Sequence, residues 1–332
     1  MLRKWSIVLV LLGFGAAYAA DEDIQLDLEL TANKSTYVFG EPMMLRTLIR
    51  NVGTETSLKV NTSWAGPGSG DWGFSFLVAK DDGEFHNFLG ALPFGVATPP
   101  RQFETYGDDQ CLSGRYLTPN EPVRRTDIFF VSPPGSYRLK AQLKEDGGRT
   151  WQSQELSLDV IPVAGNDSIT KVLDAERVGA LGWTICISYH HLGGTGSGTW
   201  SHFLPDSDPD LFCVRVLEGC PDSVFCEYLR FVLARRALYE CTFLRRQHNR
   251  AIGREIDYIT PVETFLRDYP DSWLIPCLIT DFTWIDLNQP GNDPNDTASF
   301  LAPYLDKEGE PEEARFVQVR KAIDKRLARQ AP

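Results

Sequence analysis

The feature that most constrains this chain is a change of hydrophobic rhythm near Pro162. Before it, apolar side chains alternate with polar ones in steps of two; after it, they recur in steps of three and four. A period of two suits a strand with one buried face, and a period near 3.6 suits an amphipathic helix. The two stretches therefore predict different architectures, a β domain followed by an α domain.

In the first stretch Leu26, Leu28 and Leu30 alternate with Gln25, Asp27 and Glu29. The pattern returns with Leu139, Ala141 and Leu143 against Arg138, Lys140, Gln142 and Lys144, then with Leu156, Leu158 and Val160 against Glu155, Ser157 and Asp159. Between these last runs lies Glu145-Asp146-Gly147-Gly148-Arg149, whose glycines accept positive φ, so the pair reads as a hairpin. Asp81-Asp82-Gly83-Glu84 is a second turn signal, between 74–80 and 85–89, and Asn51-Val52-Gly53 punctuates a third pair of strands. Short strands at this spacing predict an antiparallel β-sandwich over 21–162.

Lys34-Ser35-Thr36-Tyr37-Val38-Phe39-Gly40-Glu41-Pro42, followed by Arg50-Asn51-Val52-Gly53, resembles bacterial immunoglobulin-like domains, as does Pro133-Pro134-Gly135-Ser136-Tyr137-Arg138-Leu139. In that resemblance the first segment joins the first two strands and the second closes the second strand. Macroglobulin-type domains and a small inhibitor of subtilisin-like proteases are related sandwiches. No Cys-Gly-Glu-Gln thioester sequence occurs, so macroglobulin trapping chemistry is not implied. The likeness describes a fold, and a fold alone does not name an activity.

The second stretch repeats itself. Leu217-Glu218-Gly219-Cys220-Pro221-Asp222-Ser223 and Leu266-Arg267-Asp268-Tyr269-Pro270-Asp271-Ser272 share the frame Leu-x-x-x-Pro-Asp-Ser, 49 residues apart. Proline ends one helix, and Asp or Ser offers a capping oxygen to the next. Phe225, Tyr228, Leu229, Val232 and Leu233 then follow at helical spacing, as do Leu274, Leu278, Ile279 and Phe282 after the second frame. Thr260-Pro261-Val262-Glu263 reads as a capping box. A last helix is signalled by Glu310, Glu312 and Glu313, a stripe of Phe316, Val319, Ile323 and Leu327, and basic Lys325, Arg326 and Arg329, in the order the helix dipole favours. Residues 211–330 resemble tetratricopeptide-like helical hairpins of exported bacterial proteins. Their period exceeds the roughly 34 residues of the standard repeat, so irregular hairpins are expected. Such arrays bind peptides or proteins. Residues 163–210 read as a linker with a first helical segment and a flexible glycine-rich loop.

Arg3 and Lys4, the apolar run 5–12 and the small-residue pattern Ala17-Tyr18-Ala19 form a cleavable secretory signal over 1–20. No later stretch approaches the roughly 18 apolar residues of a membrane span. The mature chain is therefore expected to be secreted or periplasmic, without a transmembrane segment. Losing Arg3 and Lys4 takes the net charge from −12 to −14, which disfavours nucleic acid as a partner.

In an oxidising compartment Cys186, Cys213, Cys220, Cys226, Cys241 and Cys277 are disulfide candidates, with connectivity open, while Cys111 stands apart and is expected to be buried. Cys186 and His190 are four apart, near His191 and His202, and would share a helix face as nucleophile and base or as metal ligands; the segment Trp183 to Tyr189 reads equally as a strand. Gly193-Gly194-Thr195-Gly196-Ser197-Gly198 lacks the lysine of a phosphate loop and reads as a flexible loop. Asp206, Asp208 and Asp210 are calcium candidates, yet Leu211 and Leu217 stand where an EF-hand needs glycine and glutamate. The same signal recurs at Asn292-Asp293-Pro294-Asn295-Asp296, and in both places a looser calcium site and a helix-capping turn are the two readings. Sequons at Asn33, Asn61, Asn166 and Asn295 matter only in a eukaryotic secretory pathway. Trp64 and Trp72 flank one long loop, and Phe94, Phe103 and Tyr106 lie on another, which makes these aromatics candidate binding residues.

The chain is thus expected to be an exported, non-enzymatic module that binds a protein or peptide, with no cofactor. A protease inhibitor acting through a sandwich loop and a hydrolase built on Cys186 and His190 are the alternatives.

Overall fold

The computed structural model describes residues 25–53, 58–60, 73–87, 115–117, 122–129, 134–144, 149–164, 168–190, 208–247, 257–289, 291–305 and 312–330. The signal segment, Trp64, Trp72, Phe94, Phe103, Tyr106, Cys111, the glycine-rich loop, His191, His202, Asp206 and Glu310 lie outside the described residues.

Strands precede helices. In one sheet β1 (Leu26–Ala32) and β8 (Val123–Phe129) flank β3 (Met43–Asn51), both antiparallel to it. A second sheet runs β2 (Thr36–Val38), β11 (Leu156–Ile161), β9 (Gly135–Lys144), β5 (Gly73–Lys80) and β6 (His86–Asn87), with β10 (Thr150–Gln152) also on β9. A short ladder joins β4 (Leu58–Val60) to β7 (Arg115–Leu117). The alternation in the sequence becomes the alternation of burial. Leu26, Leu28, Leu30, Leu45 and Ile49 of the first sheet share a core with Phe74, Phe76, Val78, Leu139, Ala141 and Leu143 of the second.

The expected hairpin forms, and it is broken once. β10 and then β11 run along the same β9 strand, and between them the buried Ser153 supplies both ladder bonds. Its N–H donates to the Ala141 carbonyl at 2.9 Å, and its hydroxyl accepts the Ala141 N–H at 2.9 Å. The Asp81–Glu84 turn joins β5 to β6 as read. The third strand pair is a correction: β3, which ends at Asn51, pairs with β1 and β8, while β4 pairs with β7. Local turn residues announce a reversal without naming the partner strand.

Seven helices follow among the described residues: α1 (Ala175–His190), α2 (Pro209–Gly219), α3 (Cys226–Gln247), α4 (Ile259–Asp268), α5 (Ile275–Asp286), α6 (Pro294–Leu305) and α7 (Ala314–Gln330). Residues 183–189 are helical, which settles the strand alternative against β structure. The capping box is also corrected. The helix begins at Ile259, and the exposed Asp257 carboxylate accepts the amides of Ile259 (3.1 Å) and Thr260 (3.0 Å). Glu312 and Glu313 are not the first turn of the last helix but a two-residue strand, β12, parallel to Val123 and Arg124 of β8.

The repeated frame folds twice into one joint. At the first, the Cys220 N–H donates to the Val216 carbonyl (2.8 Å), Ser223 N–H to Cys220 (3.0 Å) and Cys226 N–H to Ser223 (3.1 Å). At the second, Tyr269 donates to Phe265 (2.9 Å), Ser272 to Tyr269 (3.1 Å) and Ile275 to Ser272 (3.3 Å). Cys220 and Tyr269 adopt matching backbones, φ −138°, ψ 57° and φ −133°, ψ 61°. The serine hydroxyl caps both following helices, accepting the amide of Phe225 (3.3 Å) or Leu274 (3.1 Å).

The helices lie on the first sheet. On β3, Met43, Leu45 and Ile49 face the core between the sheets, whereas Met44, with Ile128 opposite it on β8, belongs to the helical core beside Val178, Leu181, Tyr228 and Leu278. The first sheet is therefore the middle of three layers. Cys186, Cys213, Cys220, Cys226, Cys241 and Cys277 are all buried, and none takes part in a disulfide. The expectation of bridges among them is not met in this structure. The six occupy helix faces and caps as small apolar side chains.

Candidate functional site at the joint of sheet and helices

The Lys34–Pro42 segment lies where both sheets and the helices meet. Glu41 is almost fully buried, at 3% exposure. Its Oε1 accepts from Lys34 Nζ, and its Oε2 accepts the Val38 N–H at 3.1 Å. Burial pushes this carboxyl above its ordinary range, and the bonds from Lys34 and Val38 pull it part of the way back. Tyr37, fully buried in the strand core, donates its hydroxyl to Asn33 Oδ1 at 2.5 Å.

The same segment grips the helices. Gly40 takes φ +87° and lies so close to α1 that a Cβ there would sit 2.5 Å from the Val178 carbonyl oxygen. Tyr228 of α3 donates its hydroxyl to the Pro42 carbonyl at 2.9 Å, away from water. Phe39 packs against both cores. Farther along β3, the Arg46 guanidinium stacks 3.9 Å above the Trp273 ring, inside the second joint, and its Nε donates to Thr126 at 3.3 Å. The second joint is itself tied to α3, because Ser272 Oγ donates to Glu227 Oε1 at 2.5 Å. Chemically this arrangement is a lock: both carboxylate oxygens of Glu41 are engaged, and each polar contact orients one layer on the next.

Two buried polar knots hold the helices to one another. Arg235, 1% exposed, reaches the Ser188 carbonyl of α1 and the Asp281 carboxylate of α5, with Nε 2.6 Å from Oδ2. Asp286, at the end of α5, accepts from the Tyr258 hydroxyl (2.8 Å), the Asn292 amide (2.6 Å) and the Thr297 hydroxyl. Such buried polar groups are tolerated because each has its partners.

The residues singled out by spacing fall elsewhere. Cys186 and His190 both lie on α1, as their spacing requires, but the Cys186 thiol is buried and pushed far up by desolvation, which disfavours the thiolate a nucleophile or metal ligand needs. Asp208 caps α2, accepting the amides of Asp210 (2.9 Å) and Leu211 (3.1 Å), and Asp210 pairs with Arg236 at 2.6 Å. Asp293 likewise accepts the Asn295 amide at 2.9 Å ahead of α6. Both motifs thus act as helix caps, and no group of three or more His, Cys, Asp or Glu among the described residues is placed to hold a metal. No helix among them is long and apolar enough to cross a membrane. Sequence reasoning placed Tyr228 only in an apolar helix stripe and passed over Arg46 and Trp273, whose partners lie far away in the chain; a buried tyrosine needing a hydrogen bond was the available signal.

No family model matches this chain, and no curated protein is similar to it in sequence. The CARDB domain of a Pyrococcus furiosus protein, solved in complex with di-metal ions, is similar over 43% of this chain and 97% of its own, with 11% identity and a TM-score of 0.23. Astrotactin-2, a vertebrate perforin-like membrane protein, is similar over 76% of this chain and 38% of its own, with 15% identity and a TM-score of 0.23. Likenesses this distant carry no argument about activity, metal or membrane.

Proposed function

We propose that this protein is an exported, non-enzymatic module that binds a protein or peptide, built as an immunoglobulin-like β-sandwich overlaid by irregular tetratricopeptide-like helical hairpins. The observation that carries the reading is the repeated joint: the same hydrogen bonds and the same capping serine recur 49 residues apart, at Cys220–Cys226 and Tyr269–Ile275. Stacked helix pairs of that kind present extended faces to other polypeptides. The lock at Glu41, Gly40 and Tyr228 supports it further, since a rigid support lowers the entropy cost of binding.

The test is crosslinking of the mature chain in its native envelope or culture medium, followed by mass spectrometry of what is attached. One stoichiometric polypeptide supports the reading. Recovery of the chain alone sinks it. Amino-terminal sequencing of the same material tests export: a mature start at Ala20 or Asp21 is expected, and an intact Met1 contradicts it.

A further inference from the structure

The last helix carries a charge distribution that the fold does not use. α7 contains Arg315, Arg320, Lys321, Lys325, Arg326 and Arg329 against the single acid Asp324, a charge of +5. Set against a net −12, that leaves −17 on the rest of the chain (−12 − 5 = −17). Two of the cations are committed inward: Arg315 is buried, and Arg320 Nη2 donates to the Leu305 carbonyl at 2.5 Å. Val319 and Ile323 are buried, with Phe316 and Leu327 packed beside them, so the apolar stripe belongs to the core.

Lys321, Lys325 and Arg329 remain on the outside, four residues apart and therefore on one line, with Arg326 half-buried beside them. None of the four makes an ion pair among the described residues. Some surface cations elsewhere sit beside carboxylates: Arg50 on Asp27 (3.0 Å) and Glu29 (2.9 Å), Arg138 near Glu155 (3.8 Å), and Arg230 near Asp268 (3.8 Å). Like charges one turn apart disfavour a helix. The helix dipole compensates at Arg329, in the last turn, but not at Lys321.

We propose that this outward face of α7 is a docking surface for an acidic, extended polypeptide segment of a partner protein. It names the partner chemistry of the binding function proposed above and rests on that reading. The stripe spans about 12 Å in steps of about 6 Å. An extended chain presents same-side residues about 6.7 Å apart, so alternate carboxylates match the three cations in pitch. A narrow acidic strand meets the stripe and, beside it, the single exposed carboxylate of Asp324. An anionic membrane, being broad, also approaches a chain whose net charge outside α7 is negative.

The test uses the full mature chain and a fluorescein-labelled octaglutamate peptide, read by anisotropy at about 50 mM and about 500 mM salt. Binding is expected at low salt, loss at high salt, and a weakening of roughly tenfold in the triple variant Lys321→Gln, Lys325→Gln, Arg329→Gln, with a larger loss for the corresponding Glu triple. A control triple on the second sheet, Arg138→Gln, Lys140→Gln, Lys144→Gln, is expected to bind like wild type. Absence of binding at low salt overturns the proposal, and so does equal weakening by both Gln triples. Sedimentation with phosphatidylglycerol vesicles without peptide binding overturns it in favour of a lipid surface. A crosslinked partner whose capture survives the α7 triple defeats this proposal while leaving the binding function standing; no partner at all defeats the function instead.

Discussion

Glu41 and Gly40 sit side by side in one short segment, and each has a measurable cost. Glu41 is a carboxyl whose folded pKa lies above its ordinary value because burial outweighs the help of Lys34. A raised carboxyl binds its proton more tightly folded than unfolded, so its contribution to stability is complete below about pH 4.5 and is lost as pH rises through the folded value. The expected result in urea titrations from pH 4 to 7 is a stability decline in wild type that is shallower in Glu41→Gln; parallel curves would remove Glu41 as the source. Gly40 is held at φ +87° against Val178, where a side chain is strained and has no room. Gly40→Ala is expected to cost about 1–3 kcal/mol, read as a lower urea midpoint, and an unchanged midpoint would show that the layers yield there. The residues of this segment were legible as a motif. Their partners Val178 and Tyr228 were not, because nothing in a local pattern encodes a contact made more than a hundred positions away.

The two serine joints make an internal comparison within one molecule. Ser223 Oγ caps one amide, whereas Ser272 Oγ caps an amide and also donates to Glu227. Ser223→Ala is expected to lose about 1 kcal/mol and Ser272→Ala about 2 kcal/mol, since the second change also strips a partner from a half-buried carboxylate. Thermal or urea melts decide it, and equal losses would mean that the Glu227 bond contributes nothing. The frame Leu-x-x-x-Pro-Asp-Ser announced both joints because proline and serine act on their immediate neighbours. Helix α1 was ambiguous, because Trp183, Ile185, Ile187 and Tyr189 alternate with Thr184, Cys186 and Ser188 as a strand would. Glu312 and Glu313 misled for a different reason. Acidic residues before an apolar stripe look like a helix start, but β8 offered them a strand edge.

Three layers share two cores, and the middle sheet contributes to both. A continuous helical core that includes Met44 and Ile128 predicts that strands and helices unfold together. Far-UV circular dichroism and tryptophan fluorescence are expected to give coincident urea transitions, with the same midpoint whether or not reductant is present, because none of the six described cysteines is bridged. Two separated transitions, or a midpoint lowered by reductant, would contradict this. Sequence alone determined the order of strands and helices, the alternation of β1, β9 and β11, the hairpin turns after β5 and β9 and the repeated joint, all of which follow from residues acting within a few positions of one another. Only the tertiary structure decided that the outer face of β3 is covered, that Lys34–Pro42 locks sheet to helix, that β12 returns to β8, and that the cysteines serve as packing. Those outcomes depend on which surfaces meet after folding, and burial is a property of the assembled layers rather than of any segment.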